Sequence, residues 1–268
     1  MKILIMADIH HGNNVNYEYL NGKDYINVFG EEFKNVYKKI QPLTKEVDLV
    51  VNLGDLIQDE NKEKDIALYK EALSLLEENN SKKIHYVLGN HDLRNLEHKD
   101  LNIILDREKE TYSFDLDGYH HIILSAKRDD SLLNTEGYHR GKEQYFVEDK
   151  DLKWLEEDLN NTKLPTIIYS HYPIDEQGFT NNYYFKNLPE SGRLQNRKIV
   201  REILEKSKKV KAFFSGHIHF YNKEIIKDIE YISIPSFSEN DGEGKPNHLL
   251  AIITIETNII IDLIKIQN

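Results

Sequence analysis

The chain of 268 residues contains no cysteine. That absence excludes disulfides, zinc–thiolate centres and cysteine nucleophiles together. Any metal must then be held by His, Asp, Glu, Asn or backbone oxygen. Long apolar runs are missing too. The longest, such as Leu249 to Ile255, are strand-sized rather than the about 20 residues of a membrane helix. The N-terminus makes a poor secretory leader, because Asp8, His10 and His11 break its short apolar run at once; it reads as a first strand, and a cytoplasmic location is the default expectation. Positive charge is scarce: 35 Lys and Arg stand against 46 Asp and Glu, a net charge of -11. Nucleic acid is not an expected partner, since a broad phosphate-backbone contact needs a basic face. A small phosphorylated ligand remains compatible, because a bound cation outweighs the global field locally.

What is present is a globular balance, with 39% hydrophobic and 30% charged residues and enough length to bury a substantial core. Lys2 to Ala7 reads as a buried strand, followed by a polar loop from Asn13 to Asp24. Phe29, Phe33, Val36 and Ile40 recur at helical spacing, and Pro42 is expected to stop that helix. Val47 to Leu53 is a second strand, Ile66, Tyr69, Leu73 and Leu76 mark a second helix, and Ile84 to Leu88 is a third strand. Alternation of strand and helix implies parallel pairing with right-handed crossovers. A short helix is expected near Leu96 to Leu105. Thr111 to Leu116 and Tyr119 to Ser125 form a hairpin through Asp117-Gly118. Ala126 to Lys150 reads mainly as a long loop, Leu152 to Leu159 as a helix, Thr166 to Ser170 as a strand, and Tyr172 to about Arg193 as a second long loop. A helix around Ile199 to Leu204 precedes the strand Val210 to Ser215, and the last quarter is mostly β. No repeat, low-complexity tract or linker interrupts the chain, so residues 1–268 are expected to form one domain. Two sheets packed face to face, with helices outside, fit this order.

Five of these strands end in groups of one chemical kind. Asp8 and His10 follow the first, Asp55 the second, Asn90 and His91 the third, His171 the fourth, and His217 and His219 the fifth. All are oxygen or nitrogen donors. Residues i and i+2 of a strand share a side, so Asp8 with His10 and His217 with His219 can each converge. A lone histidine is more often a surface or core residue, but five strand ends of one kind point to a single site, and ligands gather beyond the carboxyl ends of strands in open α/β sheets. Gly89, between the third strand and Asn90, is expected to permit a tight bend.

The succession Asp-x-His, Gly-Asp, Gly-Asn-His-Asp, strand-end His and Gly-His-x-His strongly resembles the calcineurin-like metallophosphoesterase superfamily, over residues 3 to about 236. The resemblance implies an α/β fold, a four-layer α/β/β/α sandwich of two mixed sheets with flanking helices. It implies two divalent metal ions, the first held by Asp8, His10, Asp55 and His219 and the second by Asp55, Asn90, His171 and His217, with Asp55 shared. A donor set without thiolate suits Mn, Fe, Zn or Co. The chemistry implied is phosphoric ester hydrolysis by in-line attack of a hydroxide bridging two ions about 3.5–4 Å apart. His91, by resemblance, protonates the leaving oxygen.

One position departs from the pattern. Many relatives carry an Asp three residues after the Gly-Asp aspartate to orient the catalytic His; here that residue is Gln58, with Asp59 next. Either Asp59 or Asp92 serves instead, or the pairing is missing. Asp92 is weighed mainly as a support for the turn after His91. Candidate substrate contacts are Arg94, whose planar guanidinium suits phosphate, His11, His139 in the first long loop, and Tyr183 and Tyr184 in the second, where Tyr183 to Phe185 either stack on a base or pin their own loop. The layout looks most like the cyclic-nucleotide phosphodiesterase and manganese-dependent ADP-ribose pyrophosphatase branches. The expected substrate is a small phosphodiester or phosphomonoester, with nucleotide-derived esters among the candidates. The alternatives are a nuclease acting on DNA or RNA ends and a non-catalytic scaffold of the same fold. Oligomeric state is not legible.

Overall fold

The structure, a computed structural model, describes residues 1–18, 25–78, 82–133, 135–136, 142–176, 178–179, 184–239 and 245–267. The chain opens with β1 (Lys2–Met6), a small antiparallel hairpin of β2 (Val15–Glu18) and β3 (Tyr25–Val28), and α1 (Phe33–Lys45). β4 (Leu49–Asn52), α2 (Lys62–Glu77), β5 (Ile84–Tyr86), the single turn α3 (Asn90–Leu93) and α4 (His98–Ile104) follow. The second half begins with β6 (Tyr112–Leu116) and β7 (Tyr119–Ile123), then the two-residue strands β8 (Lys127–Arg128) and β9 (Tyr145–Phe146). It continues through α5 (Asp149–Asn161), β10 (Thr166–Tyr169), α6 (Arg197–Ser207) and β11 (Val210–Ser215). Four strands close it: β12 (Asn222–Ile226), β13 (Ile229–Ser233), β14 (Leu249–Ile255) and β15 (Ile259–Lys265).

Two mixed sheets carry the architecture. One has the order β15-β14-β1-β4-β5 and the other β12-β13-β11-β10-β7-β6. β1, β4 and β5 run parallel, as do β7, β10, β11 and β13, while the outer hairpins are antiparallel. Alternation within strands assigns each residue to a layer. Ile3 and Ile5 of β1, with Val51, Tyr169 and Phe214, form an apolar cluster between the sheets. Leu4 and Met6 join a second cluster with Phe33, Val36 and Ile40 of α1 and Tyr69 of α2, and Phe213 joins that same cluster alongside Val200 and Leu204 of α6. Strands with both faces covered read as unbroken apolar runs, and the four-layer sandwich follows. At about 1.5–3 kcal/mol per fully buried large apolar side chain, these two clusters dominate the stabilising side of folding.

The structure corrects several sequence expectations. Pro42 lies inside α1, which runs on to Lys45. Proline removes only the bond to the carbonyl of Lys38, and both residues are exposed, so the loss falls on the solvent side of the helix. The stretch from Asn13 to Asp24 is not all loop, since it holds β2; its β-branched and aromatic residues are too few to stand out from the polar surroundings. The loop from Ala126 to Lys150 likewise contains the β8–β9 pair. Asp117 (φ 49°) and Gly118 (φ 78°) make the turn expected of them. Among the described residues, no helix is long and apolar enough to cross a membrane.

Candidate metal centre

The strand ends meet through unusual backbone. Asp8, His10, Asp55, His217 and His219 all lie past the last residue of their strands, and all have positive φ, between 49° and 68°. Non-glycine residues rarely adopt this region, and such strain persists only where the surroundings over-determine it. Convergence of the i, i+2 pairs thus comes from left-handed backbone rather than from the strand pleat. Ile9 and Ile218, between the paired residues, are buried in apolar clusters and anchor each segment. Gly89 serves close approach, not a bend: its φ is −101°, but a Cβ there would fall 2.2 Å from Asp55 Oδ1.

Two donor groups result. Asp8, His10, Asp55 and His219 each offer an atom within 4.8 Å of the others, and Asp55, His171 and His217 do the same. Asp55 belongs to both. Asn90 joins the second group, with Oδ1 3.2 Å from His171 Nε2. Three of the four imidazoles are oriented from behind. His171 Nδ1 donates to the Leu53 carbonyl at 2.8 Å, His217 Nε2 to the Ser191 carbonyl at 2.9 Å, and His219 Nδ1 to Glu239 Oε2 at 2.6 Å. Such contacts fix the tautomer and turn the other nitrogen toward the centre. The His217 N–H donates to the Asp8 carboxylate at 3.1 Å, and the hydroxyls of Ser236 and Ser238 hold the Asp8 carbonyl.

The donors fit cations. His10 Nε2 and His219 Nε2 face each other at 3.3 Å in the interior, and His10 Nδ1 is buried with no hydrogen-bond partner. Burial, with His91 adding to it, holds His10 well below the usual histidine range, and burial with His171 does the same to His217; neutral imidazole is the ligating form. Burial opposes charge on His171 as well, but Asp55 outweighs it and lifts the ring to about 9. His219 is raised in the same way, against burial, by Asp8 and Glu239. Carboxylates that keep protons on neighbouring imidazoles would exchange them for a metal.

His91 stands beside this centre, its ring edge-on to His10 with centroids 4.5 Å apart. Its partner is Asp59: Nδ1 lies 2.6 Å from Asp59 Oδ1, whereas Gln58 Nε2 is 3.5 Å away. Burial would raise the Asp59 carboxyl, but the hydrogen bond and charge of His91, helped by Arg94, hold it well below the usual carboxylate range. Asp92 braces the backbone instead, accepting from the N–H groups of Gly89, Asp55 and Leu56 at 2.9–3.0 Å. Arg94 is nearly covered, pairing with Asp59 and with Glu143. His11 is engaged by Glu71 of α2 and the ring of Phe33 rather than by the donor groups. Tyr184 is half-buried against Phe185. Burial raises its hydroxyl, and Arg94 and Glu143 lie close enough to act on it. Phe185 packs 5.0 Å from the His217 ring and beside Phe179, so it pins its own loop to the centre. His139 and Tyr183 lie outside the described residues.

Glu239, Ser191 and Glu143 escaped sequence reading. None sits in a recognisable spacing; each becomes visible only when distant segments meet.

A sequence model of the family described as calcineurin-like phosphoesterase matches residues 1–221. The chain belongs to that family. A 3′,5′-cyclic-nucleotide phosphodiesterase from Nostoc sp. is 25% identical over 213 residues, covering 77% of this chain and 68% of the relative. Among solved structures, a dimetal phosphatase from Danio rerio superposes with a TM-score of 0.76 at 16% identity, covering 98% of this chain and 95% of that one. The Plasmodium protein GAP50, described as the anchor in the inner membrane complex, reaches 0.57 at 14% identity over 99% and 84%. These superpositions speak to fold alone. The chain is a metal-dependent phosphoric ester hydrolase with a fold for two divalent metal ions.

Proposed function

We propose that this phosphoesterase hydrolyses a small phosphodiester or phosphomonoester derived from a nucleotide, with His91 delivering the proton to the leaving oxygen. The observation that carries the reading is His91 held by Asp59 against two donor groups that share Asp55. Asp8, His10, Asp55 and His219 would hold one ion and Asp55, Asn90, His171 and His217 the other. When bound, such a pair supplies Lewis-acid polarisation of the phosphoryl group and a nucleophile from water.

The chain's own residues do the rest. Asp59 accepts from Nδ1 and leaves Nε2 of His91 to hold and release a proton. The bracing of Asp8, His171, His217 and His219 from behind keeps the donors in place without reorganisation during the reaction. Phe185 and its neighbours cover His217 and keep water from that side. Relatedness to a cyclic-nucleotide phosphodiesterase supports a diester of nucleotide origin. We read residues 1–268 as one domain, because β14 and β15 from the end of the chain complete the sheet that β1 begins.

The fold resemblance to an anchoring protein favours a scaffold as the second reading, though every donor position is filled here. Purified protein given manganese should hydrolyse p-nitrophenyl phosphate, bis-p-nitrophenyl phosphate or a 3′,5′-cyclic nucleotide, and a chelator should abolish the rate. Metal-loaded protein inert toward all of them at every pH would favour the scaffold.

A further inference from the structure

We propose that Arg94 and Glu143 are positioning residues for His91, so that the segment leading into β9 governs how well the leaving group is protonated. This rests on the hydrolase reading above. Four side chains form an unbroken buried series: Glu143 Oε2 lies 3.1 Å from Arg94 Nε, Arg94 Nη1 lies 2.9 Å from Asp59 Oδ1, and that same oxygen lies 2.6 Å from His91 Nδ1. Their side chains are 7%, 10%, 1% and 9% exposed. Arg94 Nη1 is 3.1 Å from His91 Nδ1 and 3.0 Å from Nε2. An atom nearly equidistant from both ring nitrogens lies over the face of the ring, not in line with either lone pair.

His91 thus has three neighbours: the Asp59 carboxylate at 2.6 Å, the guanidinium over a face, and the ring of His10 at 4.5 Å. Asp59 stands one residue beyond the position where the family motif carries its aspartate, and a second group besides His91 holds its carboxylate. Arg94, one turn after His91, is that holder, and Glu143 fixes the guanidinium by its Nε. With Nε and Nη1 both engaged in this series, only Nη2 of Arg94 is left for other contacts.

Positioning of a proton donor has a signature that general destabilisation lacks. Nitrophenolate departs readily without a proton, whereas an alkoxide needs one. Glu143→Gln and Arg94→Lys are compared with wild type on bis-p-nitrophenyl phosphate and on whichever alkyl ester of the cyclic-nucleotide and sugar-phosphate series the wild type turns over. Expected is a kcat loss of about 10–100-fold on the alkyl ester, a loss under about threefold on the aryl ester, and unchanged KM and Mn²⁺ affinity. In a His91→Gln background, Glu143→Gln should add nothing, as coupled residues behave. Equal losses on both esters, weakened Mn²⁺ binding in both variants, or additive losses with His91→Gln would overturn the proposal. So would a wild type active on aryl esters and on no alkyl ester. A wild type inert on every ester overturns the hydrolase reading itself.

Discussion

His85 and His121 are buried as deeply as His10, His171 and His217, yet the two groups have opposite surroundings. The first pair belongs to an aromatic stack running from one sheet into the other: His85 lies 4.1 Å from Phe114, Phe114 5.1 Å from His121, His121 6.0 Å from Tyr169, and Tyr169 5.8 Å from Phe214. Its polar partners are neutral, the hydroxyls of Tyr112 and Tyr169. The second group faces Asp8 and Asp55 at the strand ends. Burial pushes both groups toward the neutral ring, and what differs is whether carboxylate oxygens lie beside the ring nitrogens. A histidine among aromatics is a shaped apolar residue; a histidine among carboxylates is a ligand in waiting.

The contrast breaks most severely at the shared carboxylate. Asp55→Asn should empty both metal positions and reduce hydrolysis to background, with metal content measured by plasma spectrometry. His91→Gln should lower kcat by about 10²–10⁴-fold while both ions stay bound, which separates proton delivery from metal holding. The stack should show itself in acid. Burial first, with Lys83 and His121 adding, lowers His85 to about 4, and burial lowers His121 to about 4. An unfolded histidine titrates near 6.5, so above that pH neither state gains a proton and stability is unaffected. Between pH 6.5 and 4 the unfolded chain takes up protons that the folded chain refuses, and stability falls by on the order of a few kcal/mol. Urea unfolding at pH 7.5 and 5 should therefore show a smaller difference for a His85→Phe/His121→Phe variant than for wild type. The mildest effect is His121→Phe alone at pH 7.5. The swap leaves the buried Tyr169 hydroxyl unpaired and should cost about 1–3 kcal/mol, with metal content untouched.

The two histidine groups also mark what a sequence reveals. The donors were legible because each follows an apolar run within one to three residues, so Asp8, Asp55, Asn90, His171 and His217 announce themselves as strand ends. The sheets were legible for the same reason, since strands covered on both faces are continuous apolar runs. His85 and His121 carry no such mark; their stack joins β5, β6, β7, β10 and β11, and only tertiary packing brings these together. Asp59 was ambiguous because adjacent residues can each reach a neighbour, and geometry alone shows Asp92 turned to the backbone and Asp59 to His91. Glu239 and Glu143 act across long stretches of chain, where spacing holds no information.

The central claim is one centre with two ions sharing Asp55. Anomalous scattering from crystals soaked in manganese tests it most directly. Two peaks per chain are expected, one among Asp8, His10, Asp55 and His219 and one among Asp55, Asn90, His171 and His217. A single peak, or peaks away from Asp55, would contradict it.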